Sequence, residues 1–187
     1  MKKAFIVLFV LYLIFMCSVC FASPPMSNLK NGESIVWYDY ANRNISTPRY
    51  NYGSQNINGF EVDTAVSDHL ILHVSHHVYE TTTHIRGGNS SAYGVEYYLT
   101  PNMRLAVADN DPSRGGDAGE FSIRATTNID KNLDAFISAD RVKNTNNYDI
   151  GIIYQLLPNT LFEAKYIYSK DNPATYKGYS FGLGYKF

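Results

Sequence analysis

The stretch Tyr176-Lys-Gly-Tyr-Ser-Phe-Gly-Leu-Gly-Tyr-Lys-Phe187 decides the fold. Tyr179, Phe181, Leu183, Tyr185 and Phe187 share one phase of a two-residue period; Ser180, Gly182, Gly184 and Lys186 share the other. Side chains alternate across a strand, so this segment reads as a β-strand with one apolar face and one small or polar face. The apolar phase carries through to Phe187, and its aromatics stand where a lipid-facing strand meets the membrane interface.

Working outward, the same pattern fills the chain from Ser34 onward. Alternating runs are predicted at Ser34–Tyr40, Asn56–Val66, Leu70–Glu80, Ala92–Leu99, Met103–Ala108, Glu120–Asn128, Leu133–Val142, Tyr148–Leu156, Leu161–Ser169 and Gly178–Phe187. Compact turns, Ser67 to Leu70, Thr100 to Met103, Ile129 to Leu133 and Leu157 to Thr160, return at roughly 30-residue intervals, the length of two strands and two connections. Between them the polar segments 41–55, 81–91, 109–119, 143–147 and 170–177 are read as longer loops. Short turns alternating with longer loops, and an even strand count, predict an all-β, closed up-and-down antiparallel transmembrane barrel of about ten strands. Eight is the alternative, if the first run belongs to the lead-in and another pair is miscounted.

Parity sorts the side chains. Val36, Tyr38 and Tyr40, Leu70, Leu72 and Val74, and Tyr148, Ile150, Ile152 and Tyr154 fall on apolar phases, whereas nearly every charged residue inside a run falls on the other. The predicted inward set is Asp39, Glu61, Asp63, His73, Ser75, His77, Glu96, Arg104, Glu120, Arg124, Asp134, Asp140, Asp149, Glu163, Lys165 and Lys186. A soluble sandwich shows a similar alternation with its apolar phase in a dry core. The start of the chain separates the two. Met1-Lys-Lys, an apolar run from Ala4 to about Met16 and small residues at Cys20 and Ala22 describe a secretory signal over 1–22. Residues 23–33 then read as a short periplasmic lead-in and 34–187 as the barrel. Both cysteines, Cys17 and Cys20, fall within the signal, so the mature chain is expected to hold no disulfide or Cys-ligated metal. Sixteen tyrosines against one tryptophan suit interfacial girdles, and a net charge of −1 gives no reason to expect nucleic acid.

The ending Gly182-Leu-Gly-Tyr-Lys-Phe187 resembles the closing strand of bacterial outer-membrane β-barrels. That resemblance implies that Phe181, Leu183, Tyr185 and Phe187 are read by the barrel-assembly machinery. The mature chain as a whole resembles small barrels of the porin-like superfamily, and in size and ending it is similar to YfaZ-type barrels. The implied location is the outer membrane, the implied surroundings its lipid and lipopolysaccharide, and the expected state a monomer.

For function, the lumen residues Glu61, Asp63, Glu96, Arg104, Glu120, Arg124, Glu163 and Lys165 are the candidates. Their acidic excess predicts a narrow path for cations or very small solutes, with Arg104 paired to Glu96 or Glu120 and Arg124 to Asp134 or Asp140. The alternative is a closed structural or surface-interaction barrel presenting its loops. A third reading is enzymatic: His73-Val-Ser75 is similar to the His-x-Ser pair of outer-membrane lipid A deacylases, where His is the base and Ser the nucleophile. Here both residues face the bore by parity, His76 replaces the Asn that follows that Ser, and Glu80 points outward, so no catalytic residue is assigned. His73 and His77 share the inward phase without an evident third ligand, so no metal is expected. Gly87-Gly88 and Gly115-Gly116 lack a phosphate-loop context, and no cofactor is expected.

Overall fold

The computed structural model describes residues 27–81, 87–113 and 118–187. The expected signal, the start of the lead-in, His84 and Gly115-Gly116 lie outside them. Ten strands follow in chain order: β1 (Ser34–Ser46), β2 (Asn51–Ala65), β3 (Leu70–Thr81), β4 (Gly88–Thr100), β5 (Met103–Pro112), β6 (Ala118–Asp130), β7 (Leu133–Val142), β8 (Thr145–Leu157), β9 (Thr160–Asp171) and β10 (Ala174–Lys186). Each pairs antiparallel with its neighbours in sequence, and β1 pairs with β10, closing the sheet into a barrel. Closure satisfies every ladder in the wall, which a lipid setting demands. The eight-strand alternative fails because Ser34–Tyr40 belongs to β1, bonded on one side to β2 and on the other to β10.

The strands outrun their predicted ends, mostly away from the tight turns. Segment 41–55, read as a loop, is strand except for residues 47–50; segment 143–147 shrinks to residues 143–144, and 170–177 to residues 172–173. The sequence misleads here because the outward phase turns polar while the ladder continues. After Val36, Tyr38 and Tyr40 come Asn42 and Asn44, and Asn42 donates from Nδ2 to Oδ1 of Asn56 at 2.6 Å across the β1–β2 pair. At about 3.3 Å per residue and a tilt near 40°, a strand of 13 residues rises roughly 33 Å, more than an apolar band of about 25 Å requires. The surplus stands above the lipid as a polar collar, and collar residues look like loop residues in one dimension.

The outer face is apolar and exposed, as parity predicted: Tyr38, Phe60, Val107, Ile137, Ile150 and Leu183 are each 47–59% exposed. An apolar belt of this size around a closed barrel is a lipid-facing surface. Aromatic neighbours knit it across strands, including Tyr166 with Tyr179 edge-on at 5.4 Å and Phe162 stacked on Phe181 at 6.3 Å. Phe181, Leu183, Tyr185 and Phe187 all lie on this face, half or more exposed. Leu183→Arg, placed within the belt, is expected to cost about 2–4 kcal/mol of folding free energy in lipid vesicles. Ser180→Arg, on the bore side of the same strand, tests the face assignment: an equal penalty at both would refute it.

Candidate functional site

The site is the bore. At the turn end, buried apolar inward side chains, Ile35 and Trp37 on β1, Ala65 on β2, Ile71 on β3, Tyr98 on β4, Phe136 on β7, Ile153 on β8 and Leu161 on β9, stand among charged ones, for register sets Ile35 beside Asp63, Ile71 beside Glu96, Tyr98 beside Arg104 and Ile153 beside Asp134 and Glu163. Leu29, from the segment ahead of β1, joins this layer at 4% exposure. Its backbone N–H donates to the Tyr98 hydroxyl at 3.1 Å. Asn28 donates from Nδ2 to the Pro101 carbonyl at 2.7 Å, Lys186 donates from Nζ to the Asn28 carbonyl at 2.8 Å, and the Gly32 N–H donates to the Ala65 carbonyl at 2.9 Å. The lead-in is therefore a stopper, tied to the wall on several sides.

The small face of β10 makes room for it. Trp37 pairs with Gly184, and a Cβ on Gly184 would stand 2.7 Å from Cε3 of the indole. The indole lies flat across the strand where any larger residue would push it into the bore. Parity alone could have placed Ile35, Trp37, Ile71, Phe136, Ile153 and Leu161 on the inward face. The charged residues that share their phase point instead to a wet lumen.

The rest of the bore is ionic, and every residue of the predicted inward set lies on the inward phase. Arg104 donates to Glu96 at 2.8 Å, one of its two expected pairings. Arg124 does not pair with Asp134 or Asp140. It reaches Glu163 on β9 at 2.9 Å, with its guanidinium 3.6 Å from the Phe136 ring centroid. Asp134 accepts from Asn128 at 3.0 Å and Glu120 from Asn110 at 3.2 Å. Lys165 is the second partner of Glu163, at 2.8 Å. Asp63 meets His73 at 2.7 Å, and Glu61 lies 3.7 Å from His77.

Arg43, read as a loop residue, also belongs to the bore. It donates to Gln55 at 2.9 Å and lies 4.6 Å over the Tyr176 ring. The odd-numbered phase of β1, Trp37, Asp39, Ala41, Arg43 and Ile45, is the signal that would have found it. Ser75 is buried and faces the bore as expected. His73 Nδ1 meets Asp63 Oδ1, and among the described residues no hydrogen bond joins His73 to Ser75. His76 faces outward against Phe60, with its ring nitrogen 2.9 Å from the Ser91 hydroxyl.

Two groups have metal-ligand geometry, Asp39 with Glu61 and His77, and Asp63 with His73 and Glu96; within each, one ligand atom per residue lies within 4.8 Å of the others. The sequence offered no third ligand for either histidine, because convergence across strands depends on register. A cavity of about 800 Å³, lined by Arg43, Glu61, His77, Glu120, Asp140 and Asp149 among others, opens at the loop end. A second, of about 790 Å³, lies at the turn end beside Leu29, Tyr98 and Lys186. The apolar layer lies between them.

No family model matches the chain, and no curated protein matches it. Among solved structures it is similar to Ail, the attachment invasion locus protein of Yersinia pestis, at 17% identity over 84% of this chain and 99% of that one, TM-score 0.43. It is similar also to the N-terminal β-barrel domain of OprF from Pseudomonas aeruginosa, at 15% identity over 85% and 100% of the two chains, TM-score 0.41. The KdgM porin shows 11% identity over 82% and 99%, TM-score 0.46. These likenesses concern the fold alone. The closed wall and the exposed apolar face make this chain a β-barrel of the bacterial outer-membrane type. None of the three structures bears on the similarity to YfaZ-type barrels.

Proposed function

We propose that this barrel is shut at its periplasmic turn end and open at its loop end, a surface-facing polar cup with no catalytic step of its own. The apolar layer capped by Leu29 carries the reading. An ion crossing a constriction packed with buried apolar side chains and with charges already paired to one another loses its hydration and finds few free partners, at a cost of several kcal/mol. The ionic belt above it is largely self-paired, as a lumen built for stability is. Export by a signal over 1–22, hand-over to the assembly machinery through Phe181, Leu183, Tyr185 and Phe187, and residence as a monomer among lipopolysaccharide complete the proposal.

The channel reading keeps one observation in its favour, the excess of bore carboxylates over cations. Planar-bilayer recording on the refolded barrel, after heat-modified gel mobility has verified folding, separates the two. A shut barrel gives a flat trace at either polarity. Discrete steps with a cation-biased reversal potential would overturn closure and return Glu61, Asp63, Glu96 and Glu120 to the role of selectivity groups.

A further inference from the structure

On the wall formed by β1, β2 and β3, just above the apolar layer, Asp39, Glu61 and His77 converge. Register brings them together. Asp39 pairs with Gly59 across β1–β2 and with Gly182 across β1–β10, while His77 pairs with Gly59 across β2–β3. Glu61 follows Gly59 by two residues and shares its face. Both glycines leave space that the cluster occupies: a Cβ on Gly59 would overlap the His77 ring, and one on Gly182 would stand 2.6 Å from Oδ1 of Asp39.

The Asp39 side chain is the unexplained group. Asp39 is 8% exposed, and a carboxyl oxygen of it lies within 4.8 Å of a carboxyl oxygen of Glu61 and of a ring nitrogen of His77. Lys165 faces the pair but is held by Glu163 at 2.8 Å. Two carboxyls this close in a bore need a proton or a cation between them. His77 Nε2 stands 3.7 Å from Glu61 Oε1, too far for a hydrogen bond, so the ring is turned toward the carboxylates without being engaged by them.

One imidazole nitrogen and two carboxylate oxygens suit a first-row divalent cation; Ca²⁺ and Mg²⁺ favour all-oxygen shells. Bonds of about 2.0–2.2 Å place tetrahedral ligand atoms roughly 3.3–3.6 Å apart. Closing the present spacing of up to 4.8 Å takes only small side-chain adjustments. Glu61 and His77 line the loop-side cup, which supplies both the entry path and a water for the open position. The neighbouring triad does not qualify. Asp63 is bonded to His73 at 2.7 Å, and Glu96 is held at 2.8 Å by Arg104, a fixed positive charge.

We propose that Asp39, Glu61 and His77 form a divalent transition-metal site reached from the cup, independent of whether the bore conducts. The test is Zn²⁺ titration of the folded, chelator-stripped barrel by calorimetry, with the metal content counted after desalting. One Zn²⁺ per chain is expected. Asp39→Asn and His77→Gln are each expected to weaken binding at least about tenfold, the loss that even a second-sphere change produces. Glu61→Gln is a third route should one variant fail to fold, and zinc-edge X-ray absorption on the wild-type barrel reads one nitrogen in an oxygen-rich shell. His76→Gln, on the outer face, and Asp63→Asn, in the neighbouring triad, are expected to bind as the wild type does. No bound zinc, binding that survives in folded Asp39→Asn and His77→Gln, or loss that follows His76→Gln instead would each overturn the site and leave a shared proton between the carboxyls.

Discussion

Glu163→Gln is expected to destabilise the barrel by about 3 kcal/mol, at the low end of the penalty for breaking a buried ion pair. Glu163 is 5% exposed and joins two strands' worth of charge, Arg124 at 2.9 Å and Lys165 at 2.8 Å. Glutamine preserves the shape and one acceptor but takes from Arg124 its ion-pair partner and from Lys165 its nearest counter-charge. Access of Lys165 to the wet cup limits the loss, which is why the low end is chosen. Glu120→Gln is the comparison: that carboxylate accepts from the neutral Asn110, and its loss should cost about 1 kcal/mol. The measurement is urea unfolding in lipid vesicles followed by fluorescence of Trp37, the only tryptophan, buried in the apolar layer. Adding Arg124→Met to Glu163→Gln should recover a good part of the stability by removing the cation whose ion-pair partner is lost. Equal losses at Glu163 and Glu120 would mean that the bore is wet enough to screen its ion pairs.

The Glu163 triad also marks the boundary of what the sequence could convey. Strand number and facing were legible because alternation is local: each run reports its own two faces with no knowledge of its neighbours. All predicted outward residues from Val36 to Leu183 lie outside for that reason. Pairings are different. Arg104 finds Glu96 eight residues away through a tight turn, a contact that proximity in sequence suggests. Arg124 passes over the carboxylates of its own hairpin to Glu163, 39 residues away, because the direction of its side chain is set by Phe136 beneath it. Asp39 and His77 meet only through the registers of β1 with β2 and β2 with β3. The collar was hidden for another reason. Asn and Gly are poor strand formers on average, yet a ladder already nucleated in the wall carries them, and tertiary pairing overrides propensity. Leu29 stands between Asn28 and Lys30 in the lead-in, and an apolar residue flanked by polar ones ahead of a barrel has no phase to reveal where it will be buried.

Trp37→Ala combined with Leu29→Ala is expected to turn a silent barrel into a conducting one. Trp37 spans the wall over Gly184, and Leu29 plugs the layer from below. Removing both takes out the bulk separating a cavity of about 800 Å³ from one of about 790 Å³. A single water needs only about 10–15 Å³ of accessible space, so a continuous water file forms through the missing indole volume. Truncating a buried Trp costs about 3–5 kcal/mol, so each variant is first checked for heat-modified gel mobility. Phe162→Ala, on the lipid face, loses a comparable side chain without touching the bore and should remain silent. The expected trace for the double variant is discrete steps with a cation-biased reversal potential, because Glu61 and Asp63, the register partners of Trp37 and Ile35, border the opened path. Leu29→Ala alone, with Trp37 in place, should give rare openings at most. A folded double variant that stays silent would show that Ile35, Ile71, Phe136, Ile153 and Leu161 collapse into the space, making closure a property of the whole layer and not of its two central side chains.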